Sequence, residues 1–345
     1  MSDDSFKELT GKWERSANNR PKKPKKTVKR VLIVIGAILL VALIATVIAV
    51  ALFIQQIDKN ISLPTDQREE LLSVLAAPPQ PEAPEASEKQ QVPYYVLIIG
   101  SDSRDPEKIG AGRSDTIMLA RVDPGTPQVT ILSIPRDVEI QLAGYGTQKI
   151  NAAYAYGGPA GIVREVSSLC GVPITHYAEI DFQGVVEMVD TLGGVTVKVP
   201  VDIELDGVHI SAGTQHINGE QALVMSRCRN FPTGDLQRVV NQRILVQAVA
   251  KAVFAAPVTE MPGLITDLSK CVGTDLPATD SIALVMNLRG MDADAMYMDT
   301  VPVYSSSRNI NGTYWSLLAI DEPAFDAMMI RVEQGLPPTD PSTVP

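Results

Sequence analysis

Cysteine and histidine are scarce in this 345-residue chain, three of each, and they are scattered. No Cys-x-x-Cys, His-x-x-x-His or mixed pair at ligand spacing occurs, which excludes a zinc framework. Positive charge is equally short beyond the first segment. Residues 1–30 hold ten Lys/Arg against four Asp/Glu, a local +6, whereas the chain as a whole carries −10. The remaining residues therefore carry −16, and a chain so acidic lacks the basic face that nucleic-acid binding needs. Internal repeats are absent too. What is present is 45% hydrophobic and 20% charged, a balance that excludes a wholly disordered or fibrous protein. The length suits one large domain, or two smaller ones, with appendages.

Val31 to Ile54 is an apolar run of 24 residues broken only by Gly36 and Thr46. As a helix it reaches about 36 Å, enough to cross a hydrocarbon core of about 30 Å. Lys22, Lys23, Lys25, Lys26, Lys29 and Arg30 precede it, while residues 55–90 hold seven acids and three bases. That asymmetry places the N-terminus in the cytoplasm and the rest outside. Ala49-Val50-Ala51 resembles a signal-peptide cleavage triplet but lies inside the run, so an uncleaved single-pass anchor is expected. The domain reading follows: a disordered basic tail (1–30), a transmembrane helix (31–54), an extracellular Pro-rich spacer (55–92), one catalytic-sized domain (93–335) and a short tail (336–345).

Within 93–335, Tyr94–Ile99 is a β-rich apolar run closed by Gly100, and Thr116–Val122 and Gln128–Ile134 are two more strands joined by Asp123-Pro124-Gly125. Helical spacing marks 158–169, 181–192 and a long helix N-capped by Asp235, with further helices at 260–269, 279–289 and 321–334. Strands are expected at 195–199, 296–302 and 314–320. Interleaving of the two kinds predicts an α/β fold, a mixed sheet with helices on both faces.

Charged residues gather at the ends of these elements. Asp102 and Arg104, Arg113 and Asp115, and Arg227 and Arg229 are i,i+2 pairs, which face one side in extended backbone. Arg238 and Gln242 are i,i+4 on one helix face near its start, where the dipole favours an anion. Arginine predominates over lysine, and its planar fork suits phosphate oxygens. Aspartates among the arginines suit a hard divalent cation, since magnesium takes one or two carboxylates with phosphate and water. Singly, each pair is an ordinary surface ion pair. Together they describe a site for a phosphate or pyrophosphate ester.

The ordered series Gly100-Ser-Asp-Ser-Arg104, Arg113-Ser-Asp-Thr116, Ser133-Ile-Pro-Arg-Asp137 and Lys149-Ile-Asn-Ala-Ala-Tyr154 resembles the LytR-CpsA-Psr family of bacterial envelope proteins. So do Asp181-Phe182-Gln-Gly, Val189-Asp190-Thr-Leu-Gly-Gly-Val195, Ile217-Asn-Gly-Glu-Gln-Ala-Leu223 and the run Arg227-x-Arg229…Gly234-Asp235-x-x-Arg238-x-x-x-Gln242. The resemblance covers roughly 94–255. It implies an α/β/α sandwich behind one transmembrane helix. It also implies a phosphotransferase that moves a glycopolymer from a polyprenyl-pyrophosphate carrier to a peptidoglycan hydroxyl, or to a surface protein as in some actinobacterial relatives. Carried over residue by residue, Asp102 and Asp115 would hold magnesium (or manganese). Arg113, Arg136, Arg227, Arg229, Arg238 and Gln242 would clasp the pyrophosphate, and Lys149 and Asn151 complete the loop. Asp235 would either orient the arginines or deprotonate the acceptor. Phe182, Val185, Val186, Met188 and Val189 either line a lipid slot or are plain core. Competing readings are a pyrophosphatase that uses water as acceptor and a non-catalytic envelope regulator or lipid-binding module. Two departures from the family pattern stand at Gln237 and Asn241, where glycine and arginine are common.

Outside the membrane cysteines tend to be oxidised. Cys228, between two site arginines, points opposite to them in extended backbone and is expected as a buried thiol. Cys170 and Cys271 are then either a disulfide, which relatives with a stabilising bridge favour, or two buried free thiols. The three histidines are expected to be structural or exposed.

Overall fold

The computed structural model describes residues 26–77, 92–102, 112, 114–232, 234–289, 291–310 and 312–340. Arg104, Arg113, the Pro-rich stretch 78–91 and most of the expected cytoplasmic tail lie outside them. The chain divides into two units, Met1–Phe53 and Ile54–Pro345.

Helix α1 (Lys26–Ile61) accounts for the described part of the first unit. Val41–Ile61 is, among the described residues, the one helix segment long and apolar enough to cross a membrane. Val41, Leu43, Ile44, Val47, Ile48 and Val50 are each half or more exposed, so this is not the core helix of a soluble domain.

The second unit begins with the last two turns of α1. Ile57 and Ile61 are buried, as are Leu63 and Leu71, the latter on α2 (Thr65–Val74). Asp58 Oδ1 accepts the Ala278 amide at 2.6 Å, and the Ala76 amide donates to the Ile174 carbonyl at 2.8 Å. The first part of the stretch expected as a spacer is thus packed chain.

Strands β1 (Tyr94–Ser101), β2 (Ser114–Asp123) and β3 (Gln128–Ser133) form an antiparallel meander. Asp123 Oδ1 holds the turn between the last two by accepting the amides of Gly125 and Thr126. A hairpin of β4 (Glu139–Leu142) and β5 (Gly146–Lys149) leads into α3 (Asn151–Cys170). Only 158–169 was expected to be helical. The helix starts earlier because Asn151–Gly157 is rich in alanine, and Gly158, at φ 55°, breaks it before Pro159.

β6 (Ile174–Asp181) returns parallel to β1. Asp181 caps α4 (Phe182–Thr191), its carboxylate accepting the Gly184 amide at 2.6 Å. Four short strands follow: β7 (Val195–Val199), β8 (Ile203–Leu205), β9 (Val208–Ile210) and β10 (Gly213–Ile217). Asn218 and Gln221 form a capping box for α5 (Gly219–Arg227). Then come α6 (Asp235–Ala255), α7 (Met261–Leu268), β11 (Gly273–Thr274), α8 (Ala278–Leu288) and β12 (Tyr297–Thr300). The expected strand 314–320 is interrupted: β13 (Val303–Ser305), β14 (Arg308–Ile310), β15 (Thr313–Trp315) and β16 (Leu318–Ile320) pair as β13 with β16 and β14 with β15. Helix α9 (Glu322–Glu333) follows.

The main sheet has the order β11-β6-β1-β2-β3-β12 and mixes parallel and antiparallel pairs. Alternation along the strands sends side chains to two cores. Leu97, Ile99, Ile117, Leu119 and Tyr177 pack against α2, α3 and α9. Val96, Met118, Ala120 and Ile131 pack with side chains of α6 and α8 on the opposite face. The architecture is α/β/α, as expected.

One expectation is corrected. Cys170, Cys228 and Cys271 are all buried free thiols, so no Cys170–Cys271 bridge exists. Topology explains it. Cys170 lies just before the start of β6, whereas Cys271 precedes β11, which pairs with Glu179 and Ala178 near the other end of that strand. Five residues of strand separate Ile174 from Glu179, roughly 17 Å, well beyond disulfide reach.

Candidate functional site: guanidinium groups around Asp115

The site begins with a register fault. Gly100 pairs with Thr116 and Ser101 with Ser114, which leaves Asp115 as the extra residue of a β-bulge. The bulge lies where β1 ends, one residue before Asp102. Around Asp115 three arginines from separate elements meet. Arg136, after β3, pairs with Asp115 Oδ1 through Nη1. Arg229, beyond α5, approaches Oδ2 at 3.2 Å. Arg238, on α6, gives Nη2 to the Asp115 carbonyl at 2.9 Å and stands 3.7 Å from Oδ1.

Asp235 completes the frame. It was expected as the N-cap of α6, but Gly234 takes that position with φ 57°, and Asp235 is the first helical residue. From there its Oδ2 accepts from Arg238 Nη2 at 2.9 Å, and its Oδ1 lies 3.6 Å from both Arg136 Nε and Arg229 Nε. Asp137 holds Lys149 at 2.8 Å and Arg136 Nε at 3.8 Å.

Arg238 is 1% exposed. Burial lowers its pKa, opposed by Asp235 and then reinforced by Arg136. For Arg136 burial pulls the same way, but Asp115 and Asp235 outweigh it and the pKa is raised. Both remain guanidinium cations at neutral pH. Their Nε–H groups are nevertheless buried without a hydrogen-bond partner among the described residues, and Asp235 Oδ1 is buried and unpartnered in the same sense. The two Nε–H orphans carry a desolvation cost that an incoming oxyanion would relieve, whereas Asp235 Oδ1, an acceptor, would need a donor.

The other predicted residues are placed differently. Arg227 lies apart from the cluster, 3.6 Å from Asp206 and 5.1 Å above the Phe182 ring. Gln242 Nε2 donates to the Ser226 carbonyl at 3.0 Å, tying α6 to the end of α5 that precedes Arg229. Asn151 is buried at the start of α3, its amide donating to the Arg136 carbonyl at 3.3 Å. Asn241, fully buried, accepts from Gln237 at 3.2 Å and leaves its Nδ2 unpartnered among the described residues. Arg113 lies outside the described residues.

An apolar cavity of about 230 Å³ lies between the sheet, α4 and α6, and none of its lining residues belongs to the cluster. Ile98, Ile180, Val185, Met188, Val189 and Leu245 help to line it. Ile180 pairs with the backbone of Gly100, and Leu245 is two turns along α6 from Arg238. Of the residues read as either slot or plain core, Val185, Met188 and Val189 are among its lining, Val185 and Val189 also pack with a core cluster, and Phe182 carries the Arg227 guanidinium.

Residues that sequence reasoning missed stand on β6, beside β1 in the sheet, and on α3. Glu179 is 3% exposed and accepts hydrogen bonds from Tyr154 and from Tyr177, the latter at 2.7 Å. Burial raises its pKa, although the tyrosine and Ser101 hydroxyls counteract that. Sequence offered little signal for it, since its strand also carries Thr175, His176 and Asp181.

No group of three or more His, Cys, Asp or Glu suited to a metal occurs among the described residues. Two carboxylates on adjoining strand ends, Asp102 and Asp115, are too few for an all-protein cage. They fit a magnesium ion that draws most ligands from phosphate and water.

Comparison with known proteins identifies the family. The teichoic acid transferase TagU of Enterococcus faecalis, described as a polyisoprenyl-teichoic acid–peptidoglycan transferase, is 34% identical over 60% of this chain and 72% of its own. Its Halalkalibacterium halodurans counterpart is 34% identical over 68% and 77%. The crystal structure of B. subtilis TagV superposes with a TM-score of 0.63 at 28% identity, covering 70% of this chain and 96% of that one. The LytR-CpsA-Psr family profile matches residues 59–331, and the chain belongs to that family.

Proposed function

We propose that this protein is a membrane-anchored extracytoplasmic phosphotransferase that moves a glycopolymer from a polyprenyl-pyrophosphate carrier to a peptidoglycan hydroxyl. The observation that carries it is the gathering of Arg136, Arg229 and Arg238 around Asp115 and Asp235, with two buried Nε–H donors unsatisfied. The relatives named above are teichoic acid transferases, which supports the same class of reaction.

In the proposed step, an acceptor hydroxyl oxygen attacks the phosphorus that carries the glycan. The phosphoanhydride bond to the lipid-side phosphate breaks and polyprenyl phosphate leaves with the bond's electron pair. The hydroxyl proton passes to solvent or to the leaving phosphate. Charge grows on the equatorial and leaving oxygens, where Arg136, Arg229 and Arg238 stabilise it. Asp235 faces all three arginines, so its role is to orient them. Magnesium held by Asp102 and Asp115 would neutralise phosphate charge. The arginines now paired with Asp115 would turn to the phosphates and free its oxygens. The apolar cavity takes the first isoprene units, and α1 keeps the domain at the bilayer where such a lipid resides.

The test supplies full-length protein in detergent with a labelled lipid-pyrophosphate glycan and peptidoglycan. Label should move to the peptidoglycan, and R136A should slow transfer roughly 10²- to 10³-fold. Wild-type protein that leaves the donor intact, with magnesium present, refutes the proposal.

A further inference from the structure

Tyr145 and Tyr156 are 52% and 54% exposed, yet their rings stack at 4.1 Å between centroids and 14° between planes. Neither belongs to a core. Tyr145 stands at the tip of the β4–β5 hairpin between Gly144 (φ 81°) and Gly146 (φ 69°), and its amide closes the turn on the Leu142 carbonyl at 2.9 Å. The left-handed glycines on each side fix this tip. Tyr156 lies on the first turns of α3, just before the break at Gly158. Two short, well-defined elements therefore converge so that each ring backs one face of the other and leaves its outer face open.

The same elements reach the arginine cluster. Lys149 closes β5 and grips Asp137, and the Asn151 amide that opens α3 bonds the Arg136 carbonyl. Four residues of strand put the hairpin tip about 13 Å from Lys149, and five residues of helix put Tyr156 about 8 Å from Asn151. That is the span of one or two sugar rings. Amide and hydroxyl groups of Gln141, Thr147 and Gln148 stand along the hairpin, already bonded to one another or to the Tyr145 carbonyl.

We infer that Tyr145 and Tyr156 form a carbohydrate platform that seats a sugar ring of the acceptor glycan beside the reacting phosphate. An aromatic face carries partial negative charge, and the axial C–H groups of a pyranose present a weakly positive, apolar face of matching size. The hairpin amides then meet the equatorial hydroxyls. Choosing the acceptor as occupant rests on the transferase reading; the platform itself rests on the exposed stacked pair.

Full-length protein in detergent is titrated with a soluble β-1,4-linked N-acetylglucosamine tetrasaccharide, binding being followed by saturation-transfer NMR. Wild type should bind with magnetisation passing from tyrosine rings. Y145A and Y156A should each weaken binding roughly tenfold, while Y145F and Y156F stay close to wild type. In the transfer assay the alanine variants should raise the acceptor KM rather than the donor KM. Tetrasaccharide that fails to bind wild type, or binds the alanine variants equally, overturns the platform. Tyrosine-dependent binding without any transfer by wild type would overturn the transferase reading and leave the platform standing.

Discussion

At the level of single residues, Asp115 and Arg238 depend on each other. Arg238 is almost wholly buried and gives one guanidinium nitrogen to both a backbone carbonyl and a carboxylate. Truncating it to alanine leaves Asp115 and Asp235 short of a partner in a partly buried site. R238A should therefore lose about 3–5 kcal/mol of stability as well as turnover, measured by urea denaturation. Glu179 supplies a pH signature. Its pKa is raised in the folded protein above the ordinary carboxylate value. Below the unfolded pKa both states are protonated and the residue has no pH effect. As pH rises through the unfolded and then the folded value, the unfolded chain ionises first and stability falls. E179Q should remove this component, so its stability relative to wild type should climb above about pH 4.5. Denaturant midpoints taken from pH 4 to 8 check the sign, and a flat difference refutes it.

Among elements, the exit turns of α1 cap another helix from a distance. Asp58 accepts the first amide of α8, a helix whose own N-cap is Pro277 and offers no side-chain acceptor. D58A should destabilise the second unit by about 1 kcal/mol, readable as a shifted denaturant midpoint. Element-level structure was also the most legible in sequence. Tyr94–Ile99, Thr116–Val122 and Val195–Val199 announced themselves because β-branched or alternating apolar runs have few other uses. The hairpin β4–β5 went unseen because Glu139–Leu142 and Gly146–Lys149 are four residues each, too short for a period to show. The arginines were legible as residue types in motifs. Their partners were not, because the Asp115 bulge depends on register across two strands. Arg227 was misgrouped with Arg229 because α5 runs through Arg227, so the two do not share one extended segment.

For the whole molecule, the cysteines give a direct readout. Burial pushes the Cys170 thiol up to about 12 and Cys271 to about 11. All three thiols should resist alkylation in the native protein and react fully after denaturation without reductant. Peptide mapping that finds a 170–271 crosslink would contradict the topology. The second unit also starts earlier than its first strand. Ile57, Ile61, Leu63 and Leu71 are buried in it, and losing each such side chain costs about 2–5 kcal/mol. A fragment beginning at residue 54 should melt well above one beginning at residue 93, by calorimetry.

That early start constrains how the apolar helix can be exchanged. A helix advances about 100° per residue, so one residue inserted between Ile57 and Ile61 would swing one of these buried isoleucines out of its seat. Foreign apolar helices can be grafted upstream of Ile54, where the unit boundary falls, but a graft junction placed a turn later replaces Asp58, the acceptor for the first amide of α8.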